Sequence, residues 1–552
     1  MVLYLLLLVL YATRITSIQL CPLLGPSWPA PTDLPSDPAF QSALQNITTN
    51  IQDAVTAGNF SGDSLSLMIF DTSDSSSLLN LSNTGQTINT TIGVSKVDEN
   101  TVFRIGSVSK IYTMLLLLIE DGFNPFNDPV SRYIPEIRAA TVALLENSTK
   151  RHDGIDFLKW NEVTDFPLCS QRRFHLAVFQ IHAAGSVCRR TCFVYCDLLT
   201  RLLITEFFDG LLQAHPIVPT SATPIYSNAA FQILGYVVET LAGEGFEKVL
   251  EKEIIKKLNL THTFYNTPRT SLGVIPIPQG EFWWNFNLGD EGPAGGLYSS
   301  AKDLSILGRA ILNSTLLPRS ITRKWMKPLT HTSSLNYAVG APWEILSFGN
   351  ERPIDLYTVS GDFSTYSSVL ALDPDHVIGF NVLAAGSNTH ETVALASDIV
   401  SESLLPALDQ AAKNQANGRF AGTYALTTTN SSITIDTDDG PALVVTNWIN
   451  NGTDMFPSYM ILYGIPDRSQ FSIRLYPTGL QSPGQLSFRA VIPLQFPPGI
   501  GPFTSSCITW ATIDLQVYGN IGVDEFVFDF DESGNAASLS PRALRTILPK
   551  IS

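Results

Sequence analysis

The chain has 552 residues, 44% of them hydrophobic and only 15% charged, with a formal net charge of −16. That length exceeds what one hydrophobic core usually supports, so more than one domain is expected. A surplus of acid argues against nucleic acid or an anionic membrane surface as partner.

Val2 to Ala12 is an apolar run, shorter than the roughly 20 residues a membrane span needs. It reads as the core of a signal peptide occupying residues 1–17, and no membrane anchor is expected after its removal. Secretion also accommodates the Asn-x-Ser/Thr sequons at Asn46, Asn80, Asn89, Asn147, Asn259, Asn313, Asn430 and Asn451, where glycans would keep loops at the surface. The six cysteines (Cys21, Cys169, Cys188, Cys192, Cys196 and Cys507) are then disulfide candidates.

Leu65 to Phe70 reads as a strand. Thr101 to Ile105 reads as an extended, β-branched approach to Gly106 and Ser107-Val-Ser-Lys110. At i and i+3 on a helix, the Ser107 hydroxyl and the Lys110 amine share a face. Free backbone N–H groups in that first turn favour a developing anion. The following helix is apolar almost all round (Ile111, Tyr112, Met114 to Ile119), which places it inside a core and partly desolvates Lys110. Burial lowers a lysine pKa and makes the amine a candidate base.

Spacing alone does not decide the matter, because Ser299-Ser-Ala-Lys302 repeats it. There Ser299 or Ser300 reads as the N-cap of a helix from Ala301 to Leu312. Tyr226-Ser-Asn228 stands immediately before an amphipathic helix, Asn228 to Ala242, and can supply a proton relay beside Lys110. Tyr518-Gly-Asn520 has the same form but lies in a β-patterned segment with a turn-type Gly-Asn. Nucleotide-loop, His-Glu-x-x-His and Gly-x-Ser-x-Gly motifs do not occur.

Ser-x-x-Lys followed downstream by Tyr-x-Asn resembles the serine β-lactamase and penicillin-binding-protein superfamily, in its class C and esterase-like branch. Asn127 to Glu136 and Gly292 to Leu304 are similar to stretches of that branch, and the style of the sequence is close to secreted fungal β-lactamase-like proteins. The resemblance implies an α+β fold, an antiparallel sheet flanked by helices. It also implies a two-step acyl transfer by Ser107, with Lys110 or a Tyr226 phenolate as base and Asn228 orienting Lys110 or the substrate. The family's Lys/His-Thr/Ser-Gly strand corresponds to Val359-Ser360-Gly361. The N–H of Asp362 would then join that of Ser107 as an oxyanion hole, and Val359 removes the cation that meets a substrate carboxylate. No cofactor or metal is implied. The partner is a small-molecule acyl substrate: an ester, amide or lactam. An acyltransferase or natural-product tailoring enzyme, and a secreted binding protein that keeps the fold without catalysis, are the alternative readings.

Residues 165–204 depart from the family pattern. Asp165 to Cys196 is basic, cysteine-dense and without period, and it reads as a frame change in the gene sequence, since pattern resumes on both sides. Cys188-x-x-x-Cys192-x-x-x-Cys196 with His182 is read as disulfide-forming in a secreted context, ahead of metal binding.

A catalytic domain is expected over residues 18–410, with a boundary in the polar stretch Asp409 to Gly418. Strands are read at Ser368 to Leu372 and Val377 to Leu383. Beyond the boundary the period becomes two: Ser432 to Asp436, Ala442 to Thr446, Phe471 to Tyr476, Leu486 to Val491, Ala511 to Val517 and Glu525 to Phe530 read as strands. Residues 419–552 are therefore read as a β-barrel or sandwich.

Overall fold

The computed structural model describes residues 22–60, 62–73, 76–146, 160–164, 204–212, 214–349, 352–492, 503 and 508–551. The expected signal peptide, the six cysteines, His182, Asn147 and residues 165–203 lie outside the described residues. The described residues form two compact units, one drawn from positions 44–347 and 355–403, the other from positions up to 43, 348–354 and from 404 on.

The first unit carries an eight-stranded sheet in the order β2 (Leu79–Asn83), β1 (Ser64–Asp71), β10 (Ile378–Ala385), β9 (Tyr366–Asp373), β8 (Ile354–Phe363), β7 (Glu344–Phe348), β6 (Tyr337–Val339) and β5 (Thr330–His331). The neighbours from β2 through β8 pair antiparallel, as do β7 with β6 and β6 with β5. Strands β9 and β10 are buried along their whole length, which explains why their sequences run apolar instead of alternating. Helix Ala301–Leu312 packs on β1, β9 and β10. Its Gly308 permits the close approach, since a Cβ there would stand 2.4 Å from the Phe70 ring. Asn381 fastens β10 to the same helix, donating to the Ala301 carbonyl at 3.0 Å and to Ser305 Oγ at 2.9 Å.

Beside the sheet stands a helical region built on α1 (Ser109–Asp121) and α2 (Asn228–Ala242). Residues Ser109 to Leu118 of α1 are all buried. Both helices pack on the short helix Gly292–Gly295. The described residues thus form the α+β arrangement expected from sequence.

In the second unit, the strands Gly422–Leu426, Ser431–Asp436, Leu443–Asn450, Arg474–Ser482, Gln485–Val491, Glu525–Phe530, Ala536–Pro541 and Leu548–Pro549 follow one another around a sheet. Tyr424 bridges Lys550, and Ile551 N donates to Thr423 O at 2.8 Å. The last strand therefore returns to the first, and the sheet closes as a barrel. Phe420, Tyr424, Trp448, Phe488, Phe526 and Phe528 fill its core, and helix Met455–Tyr463 is inserted between strands.

The stretch Asp409 to Gly418, where the domain boundary is expected, lies within the helix Thr389–Phe420. Leu408, Ala412, Ala416 and Phe420 recur every fourth residue and are buried, so the stripe is real but made largely of alanine, which a search for apolar runs passes over. Ala511 to Val517 is not a strand. Thr509–Ala511 is a 3₁₀ turn, Asp514 takes φ 57°, and only Val517–Tyr518 pairs.

Candidate active site

Strand β3 (Val102–Arg104) pairs with β4 (Tyr298–Ser300), and Ile105 N donates to Leu297 O at 3.1 Å, carrying the chain to Gly106. Gly106 takes φ 48°, and a Cβ there would lie 2.7 Å from the Asp362 nitrogen. Glycine is needed on both counts. A single 3₁₀ turn, Gly106–Val108, then leads into α1. Ser107 therefore sits in the first turn, half-buried, with no side chain capping it.

Lys110 is fully buried one turn on. Its Nζ lies 2.8 Å from Ser107 Oγ, 2.8 Å from Tyr226 OH, 2.8 Å from Asn228 Oδ1 and 2.7 Å from Ala294 O. Ser107 Oγ also hydrogen-bonds Tyr226 OH directly. Two of the Lys110 partners, the carbonyl oxygens of Asn228 and Ala294, can only accept. They take two N–H groups, and the third position of the amine faces the two hydroxyls.

Tyr226 and Asn228 reach this point because Ser227 caps α2, its Oγ accepting from Ala230 N at 3.1 Å. The residues on either side of the cap are thereby held at the helix entrance. Tyr226 as a residue is 44% exposed, while its hydroxyl is turned inward onto Ser107 and Lys110. Burial lowers the Lys110 ammonium to about 7, against the opposing fields of Glu291 and Glu344. Burial also pushes the Tyr226 phenol up to about 12, an effect the Ser107 hydrogen bond reduces and the nearby carboxylates reinforce.

The opposite wall is the end of β8. Val359 is buried in the apolar core. Ser360 donates from its backbone N–H (3.2 Å) and its hydroxyl (2.7 Å) to Glu344 Oε2. A Cβ on Gly361 would stand 2.1 Å from Ile105 O and 2.8 Å from Ser107 N, so only glycine lets this strand approach the Ser107 turn. The Asp362 nitrogen borders the same turn, since a Cβ on Gly106 would stand 2.7 Å from it.

The two decoys separate from these residues. Ser300, not a catalytic-type lysine pair, is what Ser299 to Lys302 provides: its Oγ caps the helix by accepting from Asp303 N at 3.2 Å, while Lys302 reaches Glu99 at 3.4 Å. Tyr518 is exposed on a two-stranded ribbon whose turn residues Gly519 and Asn520 take positive φ.

Three residues that shape the site carry no motif. Glu291 and Glu344 act on Lys110 from distant parts of the chain. Arg104 is buried, with Nη1 donating to the carbonyls of Trp283 (2.7 Å) and Phe286 (2.6 Å), and its guanidinium lies 3.7 Å from the Phe363 ring centre. It fixes the residue next to Asp362. A charged side chain inside the apolar run Val102 to Ile105 was the available signal.

A family profile described as "Beta-lactamase" matches residues 80–403, which hold all eight of the candidate catalytic and pocket residues. The chain belongs to the beta-lactamase family. A second profile, "Beta-lactamase-like-like, C-terminal domain", matches residues 412–552. The "Beta-lactamase-like protein" of Arthroderma benhamiae is 26% identical, with 97% of this chain and 96% of that one aligned. The "Probable hydrolase M10" of a Phoma species is 25% identical over 95% of this chain and 91% of its own. Among solved structures, a D-stereospecific amidohydrolase from Streptomyces (TM-score 0.48, 18% identity) covers 64% of this chain and 97% of its own. "A class C beta-lactamase" (TM-score 0.48, 15% identity) covers 66% of this chain and 96% of its own.

Proposed function

We propose that this protein is a serine hydrolase that works through an acyl-enzyme on an ester or amide. The observation that carries the reading is the Ser107 hydroxyl in simultaneous contact with Lys110 Nζ and Tyr226 OH. With Lys110 at about 7 and Tyr226 at about 12, neutral pH leaves a fraction of Lys110 as free amine and Tyr226 protonated, which favours Lys110 as the base. Its lone pair takes the Ser107 proton as Oγ bonds to the substrate carbonyl carbon. The carbonyl π electrons move to oxygen, held by the N–H groups of Ser107 and Asp362. As the tetrahedral species collapses, the carbonyl reforms and the bond to the leaving group breaks. Tyr226 gives that group a proton and is re-protonated by the Lys110 ammonium. Water, deprotonated by Lys110, then attacks the acyl carbon; as this second tetrahedral species collapses the bond to Ser107 Oγ breaks, the Lys110 ammonium returns its proton to Oγ, and the acyl group leaves as the carboxylic acid. Asn228 and Ala294 O hold the amine in place throughout. Trapping with a fluorophosphonate tests this: peptide mapping is expected to place the adduct on Ser107, and an unmodified Ser107 under conditions that label a control serine hydrolase would refute it.

We also propose that the protein is a secreted glycoprotein, on the apolar run Val2 to Ala12 and the sequons. In support, Asn46, Asn80, Asn259, Asn313, Asn430 and Asn451 are exposed and Asn89 is half-buried. Peptide-N-glycosidase treatment of protein from the culture medium of a eukaryotic host is expected to lower its apparent mass. Secreted protein whose mass does not change would remove the glycan assignment.

A further inference from the structure

Glu344 faces the site and has no part in the proton transfers above. Its Oε2 accepts both donors of Ser360. A carboxylate has no proton to give, so the Ser360 hydroxyl hydrogen points to Glu344 and away from any ligand. Both donors that Ser360 could offer to a bound anion are thereby taken. Val359, one residue earlier, brings no charge and is buried.

The carboxylates of Glu291 and Asp362 add to that sign, while the buried Arg104 guanidinium and Lys110 amine are both held by backbone carbonyls. Glu291 borders the helix Gly292–Gly295, whose Ala294 carbonyl holds Lys110. Asp362 accepts from Ser367 Oγ at 2.6 Å and lies 3.2 Å from His390 Nδ1. Lys110 is engaged by Asn228, Ala294 and the two hydroxyls. The wall formed by Ser360 and Glu344 consequently offers acceptors and negative charge where a carboxylate would need donors. A ligand ammonium there meets the opposite charge in a partly desolvated place, where such pairs count for more than in water.

We infer that the site selects acyl substrates that carry a protonated amine and disfavours those that carry a carboxylate, with Glu344 as the specificity-determining residue. The inference rests on the serine-hydrolase reading and names its substrate class. Burial raises the Glu344 carboxyl group above the usual carboxylate range, so a cationic partner relieves a cost already present in the free protein.

The test uses the full chain and three p-nitrophenyl esters of equal acyl length, ending in ammonium, methyl or carboxylate. At neutral pH, kcat/KM is expected to favour ammonium over methyl by about tenfold, the size of one charge contact worth a single factor of ten in affinity, with carboxylate poorest. In Glu344→Gln the ammonium-to-methyl ratio is expected to fall toward one. The wild-type ratios carry the test alone if that variant does not fold. Ser107 labelled by fluorophosphonate together with equal or better turnover of the carboxylate ester would overturn the inference and leave the hydrolase standing. Absence of both labelling and ester turnover would overturn the hydrolase reading and this inference with it.

Discussion

Ser107→Ala is expected to lower kcat/KM for any turned-over ester by about a thousandfold or more, the scale seen when an activated nucleophile is removed from a serine enzyme. Neighbouring hydroxyls cannot take over. Ser109 Oγ is buried, donating to Gly106 O at 2.6 Å and accepting from Leu297 N at 3.1 Å. Tyr226 stays protonated, with its pKa pushed up to about 12. The fold should be nearly indifferent to the change. The half-buried hydroxyl leaves behind a lysine still held by Asn228 and Ala294, and one such hydrogen bond contributes only about 1 kcal/mol net. Steady-state kinetics and a thermal melt on the same preparation check both halves. A variant that keeps more than about a tenth of wild-type activity lies far outside the loss expected for a missing nucleophile, and Ser107 would not be that nucleophile.

Much of the site was legible because its parts are local motifs at helix entrances. Ser107 and Lys110 share one turn, and Tyr226 and Asn228 flank a capping serine. Such short-range geometry is set by helix periodicity and cap chemistry alone. The decoys were separable for the same reason: Ser300 caps, and Gly519-Asn520 turns. Glu344 and Glu291 were not legible, since what makes them important is the register that sets β7 against β8 and the packing of Gly292–Gly295 on α1 and α2. Neither lies near Ser107 in sequence. Strands β1, β9 and β10 followed from apolar runs and the end of β8 from the resemblance alone, whereas the helix through Asp409 to Gly418 was hidden by an alanine stripe among polar residues.

Lys110 gives the second large effect and a signature that distinguishes the two candidate bases. Its pKa is lowered by burial to about 7, so below that pH the amine is an ammonium and cannot accept a proton. The pH profile of kcat/KM is therefore expected to rise through a limb centred near pH 7 and to stay high above it, until other groups titrate. Lys110→Gln should cost on the order of a thousandfold, a loss larger than general-base removal in weakly coupled sites because the amine also positions Ser107, and should abolish the limb. Tyr226→Phe should lower kcat yet preserve the limb. Loss of the limb in Tyr226→Phe, with its retention in Lys110→Gln, would make the phenolate the base. Stability supplies a readout independent of turnover. Between about 7 and the ordinary lysine value of 10.5, the unfolded chain binds a proton that the folded chain does not. Linkage then requires wild-type stability to rise with pH across that window relative to Lys110→Gln. Denaturant unfolding of both proteins at neutral and alkaline pH measures the difference, and a constant gap would mean that Lys110 is not desolvated enough to serve as the base.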